Sequence, residues 1–203
     1  MARIAVIKGD ARMDRLAELL RQDGWEAEVF ADSWAAAAYG DVVVLPLKGV
    51  DPERFNGILE HGQVLVSGQD FLQREDFSIL NAIATVEGAL QTAMEHTTHT
   101  IHGSCCCVVG HGRIGRMLAE KLTALGAVVC VCARKAEDFA WIRAQGRAAL
   151  HSLHLAGKLG DQDVIFNTVP HMMLPHARLA ELKKTCLLID LASAPGGRGG
   201  EFG

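Results

Sequence analysis

The sequence predicts an α/β protein built as two lobes, each containing a parallel sheet. Three observations support this: short apolar runs alternate with helical patterns in both halves of the chain, a long helical stretch without proline separates the two series, and a glycine-rich turn opens the second. Strands that alternate with helices are joined by crossover connections, which make neighbouring strands parallel.

The first lobe is expected over residues 1–80. "RIAVI" is its first strand, and the helical stretch after "GDAR" places four apolar residues on one face: Met13, Leu16, Ala17 and Leu20. "EAEVF", "DVVVLPL" and "QVLVSG" are the next strands, and the unbroken apolar run of "DVVVLPL" is typical of a strand buried on both faces. We expect a flavodoxin-like sheet that forms the substrate lobe.

A long helix should connect the lobes. "REDFSILNAIATVEGALQTAMEH" contains only one glycine, Gly88, and it suits one or two helices. The run "TTHTIHGS" then ends the pattern, so residues 81–103 are predicted to form an interlobe helix and hinge. The alternating runs from "CCCVVG" to "TCLLIDLAS" follow, and they predict a second domain over residues 104–203.

Composition excludes several classes of function. The 203 residues carry a net charge of −4 with no basic block, which argues against a nucleic-acid surface. No apolar run approaches the roughly 18 residues of a membrane span. The early Gly9-Asp10 makes the first apolar run a strand rather than a signal peptide, so we expect a cytoplasmic protein.

Five of the six cysteines lie in predicted strands, where cysteine acts as a small hydrophobic residue. Successive strand residues point to opposite faces, so the triplet at 105–107 cannot converge on one metal ion. Four could share a sheet face that helices should cover, and we interpret them as packing residues: Cys105, Cys107, Cys130 and Cys132.

The turn "GHGRIG" has the G-x-G-x-x-G spacing and the required context, a strand before it and a helix after it. Gly110 would make the tight turn, Gly112 would let the backbone approach a diphosphate, and Gly115 would allow close helix–strand packing. The alternative is a purely structural turn. The residues expected to contact a dinucleotide are Gly110, His111, Gly112, Arg113, Ile114 and Gly115. The second domain is therefore predicted to be a Rossmann dinucleotide-binding domain.

The end of the next strand should select the cofactor. NAD sites usually place a carboxylate there for the ribose hydroxyls, whereas this chain has Ala133, Arg134 and Lys135. Two cations favour a 2′-phosphate, which predicts NADP over NAD. Glu137 and Asp138 lie nearby, and the alternative is a solvated basic pair.

Two later strand ends should close the cofactor crevice, because ligands of open α/β sheets lie at the carboxyl ends of strands. The predicted contacts are Asn167, Thr168, Val169 and Pro170 of "FNTVP", with Asp190, Leu191 and Ala192 of "IDLASAPGG". The alternative for Asn167 or Thr168 is a cap on the following helix.

Together, "REDFSILNAIATVEGALQTAMEHTTHTIHGS", "VVGHGRIGRMLAEKLTALGA", "VCARK", "DVIFNTVP" and "LLIDLASAPGG" resemble the dipicolinate synthase A subunits. The resemblance implies an active site between two lobes and an NADP-linked oxidation of the dihydrodipicolinate synthase product to pyridine-2,6-dicarboxylate. It also implies a partner, the flavoprotein-like B subunit, and the mother-cell cytoplasm of a spore-forming bacterium. A homo-oligomer is a further expectation.

Departures from this family keep alternatives open. His111 and Ile114 replace the Phe and Thr of the family's usual "GFGRTG" turn, and Lys8 replaces a glycine. The family continues past "DLASAPGG" with a sixth strand and a returning helix, so the predicted domain lacks its last strand and helix. The alternatives are a catalytically inactive nucleotide-binding module and another two-lobed 2-hydroxy-acid or alanine dehydrogenase.

A dicarboxylate substrate requires cations in its site. Arg12, beside Asp10 at the end of the first strand, is the leading candidate, and Lys48 is the second. Thr85 and Glu87 on the interlobe helix are the catalytic candidates; the alternatives for Arg12 and Glu87 are surface charges. The histidines of "HTTHTIH" indicate a helix end rather than a metal site, because no carboxylate or cysteine pattern completes a ligand set.

Overall fold

The computed structural model describes residues 2–47 and 49–192 and divides the chain into two compact units, Met1–Ser78 and Ile79–Gly203. In the first unit, four parallel strands pair in the order β2-β1-β3-β4. They are β1 (Arg3–Ile7), β2 (Glu26–Phe30), β3 (Val42–Val44) and β4 (Val64–Val66). The helices are α1 (Ala11–Gln22), α2 (Ser33–Tyr39) and α3 (Gly68–Leu72), with a 3₁₀ turn at Pro52–Phe55. The predicted flavodoxin-like order is confirmed.

Alternation along β1 divides the core of this sheet into two layers. Ile4 and Val6 pack with Met13 and Ala17 of α1 on one face. On the other face, Ala5 and Ile7 pack with the second layer, which contains Ala36, Val43, Leu45 and Phe55. The helical face predicted for α1 is thus the buried one.

The third strand is shorter than the apolar run predicts. It ends at Val44, although Leu45 still donates its backbone N–H to the carbonyl of Val66 at 2.8 Å. Pro46 has no N–H to continue the ladder, so the chain leaves the sheet there.

In the second unit, five strands of the described part pair in parallel in the order β7-β6-β5-β8-β9. The strands are β5 (Cys105–Val109), β6 (Val128–Ala133), β7 (Ala148–His151), β8 (Val164–Asn167) and β9 (Leu187–Asp190). The helices are α4 (Glu75–His96), which begins in the first unit, α5 (Arg113–Ala124), α6 (Ala136–Ala144) and α7 (His176–Leu179). This is the 3-2-1-4-5 arrangement of a Rossmann sheet, so the predicted fold class is confirmed.

The two faces of this sheet are covered differently. Buried residues of α4, α5 and α6 pack on the face that carries Cys106, Val108 and Phe166. The opposite face, with Cys107, Cys132 and Ile165, packs against leucines of the irregular segments 152–162 and 171–186, where α7 is a single turn. The expectation that helices cover this cysteine face is therefore wrong, because the crossovers after β7 and β8 are mostly irregular chain.

No helix in the described part of the chain combines the length and apolar character needed to cross a bilayer.

Candidate functional site

Parallel pairing brings four of the predicted segments to one edge of the second sheet. Val109 pairs with Cys132 on one side and with Asn167 on the other, and Asn167 pairs with Asp190. The residues that follow these strand ends are therefore neighbours at the carboxyl edge, namely residues 110–115, 133–135, 167–170 and 190–192. A ligand of an open α/β sheet lies at such an edge.

The chain itself requires glycine at two positions of the turn. Gly110 has a φ of 109°, which disfavours any L side chain, and a Cβ there would also overlap the hydroxyl of Thr168. A Cβ on Gly115 would overlap the carbonyl oxygen of Gly110, so α5 could not approach the strand as closely. These are the turn and packing roles that the sequence predicts for Gly110 and Gly115.

Gly112 is required by nothing within the described chain. Its φ of −82° is ordinary, and a Cβ there would meet no atom within 4 Å. It is the N-cap of α5 and provides no side-chain cap for the helix start. Open space in front of a helix N-terminus that no side chain covers suits an anionic group, because N–H groups and the helix dipole favour negative charge there. The residues present thus fit the diphosphate of a dinucleotide.

Asn167 and Thr168 hold the strand ends together rather than capping a helix. The amide of Asn167 donates to Asp190 Oδ1 at 2.9 Å and to the carbonyl of Val169 at 3.1 Å. The hydroxyl of Thr168 donates to the carbonyl of Val109 at 2.9 Å. Since the N-cap of α7 is Pro175, the helix-capping interpretation of these two residues is wrong.

The cations predicted to select the cofactor follow directly on β6. Lys135 is the N-cap of α6, and its Nζ lies 3.6 Å from Glu137 Oε1, with both side chains mostly exposed. Arg134 is exposed, and its guanidinium has no hydrogen-bond or ion-pair partner in the described residues. Exposed guanidinium groups can bind a phosphate bidentately.

A side-chain network at the turn was missed by the sequence analysis. His111 Nδ1 lies 2.8 Å from Asp138 Oδ1, and Arg116 donates to the same oxygen at 3.2 Å and to the carbonyl of His111 at 3.0 Å. The His111 side chain is only 4% exposed. The sole sequence signal was the unusual histidine between the first two glycines, because its partner lies 27 residues away.

The substrate candidates of the first unit form a local pair. Asp10 is the N-cap of α1, and Arg12 donates to both of its carboxylate oxygens, at 2.9 and 2.6 Å. The hydrogen bond from the Arg12 side chain lowers the pKa of Asp10 to about 2. Arg12 is therefore already neutralised, which the sequence analysis did not foresee. Lys48 lies outside the described residues.

The structure does not bring the catalytic candidates to the glycine turn. Glu87 Oε1 lies 3.5 Å from Lys121 Nζ, and Thr85 is half-buried on the same helix, α4. Lys121 is eight residues along α5 from Arg113, which corresponds to about 12 Å of helix. The Glu87 side chain is 62% exposed, so its carboxylate is accessible to solvent.

Comparison with known proteins gives the family. Residues 55–196 match the profile of the D-isomer specific 2-hydroxyacid dehydrogenase, NAD binding domain. The chain belongs to this family.

Among the family's relatives, dipicolinate synthase A subunits are similar to this chain. The protein of Bacillus subtilis (strain 168) is 42% identical over 125 residues, a match that covers 62% of this chain but only 42% of that protein. The crystal structure of the Bacillus halodurans protein aligns with a TM-score of 0.84 at 28% identity, covering 97% of this chain and 84% of that one. The Bacillus subtilis crystal structure gives 0.79, at 28% identity and 97% and 82% coverage. The resemblance predicted from the motifs is confirmed.

A more distant structure shares the fold alone. A D-isomer specific 2-hydroxyacid dehydrogenase from Lactobacillus delbrueckii ssp. bulgaricus, in its NAD complexed form, aligns with a TM-score of 0.63 at 18% identity, over 94% of this chain and 71% of that one. The second unit is thus the nucleotide-binding domain of an NAD(P)-dependent oxidoreductase family.

Proposed function

We propose that this chain is an NADP-dependent dehydrogenase subunit that oxidises the cyclic product of dihydrodipicolinate synthase to dipicolinate. The observation that carries this proposal is the assembly of the glycine turn and the cations Arg134 and Lys135 at one sheet edge, in a chain similar to dipicolinate synthase A subunits. The substrate is taken from the name of those relatives.

The preference for NADP follows from charge. Arg134 and Lys135 occupy the end of β6, where NAD sites usually carry a carboxylate for the ribose hydroxyls. A 2′-phosphate would gain charge-assisted hydrogen bonds from these side chains, whereas NAD offers them only hydroxyl groups. We therefore propose NADP as the cofactor, with residues 110–115, 167–170 and 190–192 lining its site.

The cofactor, when bound, supplies the acceptor for a hydride. The protein must then orient a dicarboxylate and accept one proton as the ring becomes aromatic. We assign the dicarboxylate to Arg12, held by Asp10, and to Lys48. Asp10 fixes the Arg12 guanidinium through two hydrogen bonds and leaves its remaining N–H groups available for a substrate carboxylate. We assign the proton transfer to Glu87, with Thr85 beside it on α4.

The setting of the reaction follows from the relatives, which are described as subunits. We propose that the chain forms a homo-oligomer and works with a flavoprotein-like B subunit in the mother-cell cytoplasm of a sporulating bacterium.

Thermal unfolding with NADPH, NADH or neither tests the cofactor assignment. A ligand present at 100 times its Kd stabilises the native state by about 2.7 kcal/mol, which for a chain of this length raises Tm by about 5–10 °C. We expect this shift with NADPH and a smaller one with NADH at the same concentration. No shift with either nucleotide would contradict the proposal.

Turnover is tested by adding dihydrodipicolinate synthase, its substrates and NADP, and following reduced nicotinamide and dipicolinate together. We expect both products in equal amounts. Binding of NADPH without turnover, with and without a B subunit, would instead favour a nucleotide-binding module without catalysis.

A further inference from the structure

A carboxylate lies close to the cations proposed to select NADP. Asp138 is in the first turn of α6, three residues after Lys135, the N-cap of that helix. A carboxylate near the end of the second Rossmann strand is the feature by which NAD sites accept the ribose hydroxyls, and its charge would repel a 2′-phosphate. The chain must therefore compensate Asp138 if Arg134 and Lys135 are to favour a phosphate.

Asp138 is compensated by two residues of the glycine-turn region. Its Oδ1 atom accepts hydrogen bonds from His111 Nδ1 at 2.8 Å and from Arg116 Nη2 at 3.2 Å. Partial burial raises the pKa of Asp138, but the hydrogen bonds and charges of His111 and Arg116 outweigh this and hold the pKa below its ordinary value. The carboxylate is thus ionised at neutral pH, and because it can only accept, His111 carries a proton on Nδ1.

The same two residues determine where the carboxylate is held. His111 lies between the first two glycines of the turn, and its side chain is nearly inaccessible to solvent. Arg116 bridges the turn and α6, since it also donates to the carbonyl of His111 at 3.0 Å. Asp138 is therefore bound toward the glycine turn, while the Arg134 guanidinium, in the described residues, has no partner.

We propose that His111 and Arg116 are specificity-determining residues, which hold and neutralise Asp138 so that the turn after β6 offers cations rather than a carboxylate to the ribose. This inference rests on the proposed NADP preference. His111 and Arg116 act through Asp138, and the discrimination between the two nucleotides is made by the charges at residues 134, 135 and 138.

The test is the ratio of the Kd values for NADH and NADPH, measured by titration of the full chain. Arg116→Gln leaves the charge of Asp138 uncompensated and should lower this ratio about 5-fold by weakening NADPH, with little change for NADH. Asp138→Asn removes the repulsion and should raise the ratio by a similar factor. Both effects should shrink at high ionic strength, because the charges lie near the surface.

Matched controls place the same charge changes elsewhere. Arg143→Gln, at the end of α6, and Glu120→Gln, on the exposed side of α5, should leave the ratio within 2-fold of the wild type. At the turn itself, His111→Phe removes the donor to Asp138 and should lower the ratio, whereas His111→Asn keeps an N–H donor near Nδ1 and should largely preserve it.

Equal loss of both nucleotides in Arg116→Gln and His111→Phe would overturn the inference, because it would mean that the network only holds the turn in shape. Arg116 is 60% exposed, so its substitution should leave the fold intact, and a Tm within 2 °C of the wild type checks this. A wild-type chain that binds NADPH preferentially, with ratios unmoved in every variant, refutes the inference alone. A wild-type chain that binds neither nucleotide, or prefers NADH, refutes the proposed cofactor as well.

Discussion

At the scale of single residues, the three glycines of the turn have different physical requirements. Gly110 is required by its positive φ and Gly115 by the carbonyl of Gly110, so both are needed for the fold alone. Gly112 has an ordinary φ and open space around it. Its lack of a side chain is explained only by a ligand that approaches the backbone.

This difference predicts opposite behaviour for two alanine variants. Gly115→Ala should lower the free energy of unfolding by about 1–3 kcal/mol, because the helix must move away from the strand. Gly112→Ala should leave Tm within about 1 °C of the wild type and raise the Kd for NADPH at least about 10-fold, because its Cβ occupies the space of the diphosphate.

Thermal unfolding and nucleotide titration on the same samples check both variants. Gly88→Ala in α4 is the control, since a Cβ there meets no atom within 4 Å and alanine is the better helix former by about 1 kcal/mol. An unchanged Kd in Gly112→Ala would contradict a diphosphate at this turn.

Glu87 gives a second prediction at this scale, which follows from the proposed proton transfer. Glu87→Gln should keep the Kd for NADPH within 2-fold and lower turnover at least about 100-fold, the low end of what a general base contributes. The matched control on the same helix is Glu95→Gln, whose carboxylate accepts from Gln91 at 2.8 Å. Turnover at the wild-type rate in Glu87→Gln would remove Glu87 from the mechanism and leave its pair with Lys121 as its role.

At the scale of the elements, Asp163 connects three strands at the amino edge of the second sheet. Its carboxylate accepts from the backbone of Cys105 at 2.7 Å and from Lys183 Nζ at 2.5 Å, and its backbone carbonyl accepts from Leu187 at 2.9 Å. The starts of β5, β8 and β9 are therefore fixed relative to one another by one aspartate. This edge is structural, and the opposite edge is left for the ligand.

The pH dependence of stability should reflect this junction. The hydrogen bond from Lys183 is the largest of the effects that hold the pKa of Asp163 below its ordinary value of 3.8, although burial opposes it. A group with a lowered folded-state pKa stabilises the protein above its unfolded-state pKa and loses that contribution as the pH falls through the folded-state value. Asp163 should therefore stabilise the fold at neutral pH and cease to do so in acid below about pH 4.

Thermal unfolding between pH 3 and pH 7 checks this expectation. Asp163→Asn should have a lower Tm than the wild type at pH 7, and the difference should narrow as the pH falls toward 3. Asp161→Asn, two residues earlier on the exposed surface, should follow the wild-type curve. A constant difference between Asp163→Asn and the wild type across this range would show that the charge of Asp163 does not matter.

At the scale of the whole molecule, the cysteines contribute to the core as apolar residues. All six are free, and Cys106, Cys107 and Cys132 are fully or almost fully buried. Cys107 and Cys132 approach to 3.4 Å between their sulfur atoms, which is much longer than a disulfide bond of about 2.05 Å. Burial raises the pKa of the Cys106 thiol to about 12 and that of Cys186 to about 11.

Thiol chemistry should therefore report on global unfolding. A thiol reagent at pH 8 should modify the buried cysteines only as the protein unfolds, because the thiolate is the reactive form and burial blocks access. Six thiols should react at once in concentrated guanidinium chloride, and a reducing agent should not change Tm. Rapid reaction of four or more thiols in the native protein would contradict the packing of the second sheet.

The sequence by itself determined the order of strands and helices, the helical face of α1 and the place of the nucleotide-binding turn. These features are encoded locally: by periodicity along one element, by glycines at fixed spacing and by the position of a strand end. Even the departures were local, since β3 ends early at Pro46.

Only the tertiary structure decided which charged groups meet. The contact of His111 and Arg116 with Asp138, the hydrogen bond between Asn167 and Asp190 and the pair of Glu87 with Lys121 join residues on different elements. Such partners depend on which strand ends become neighbours and on the rotamers that packing allows, and neither is written in the local pattern. The sequence therefore located the candidate cofactor site, while the folded chain set the charges that surround it.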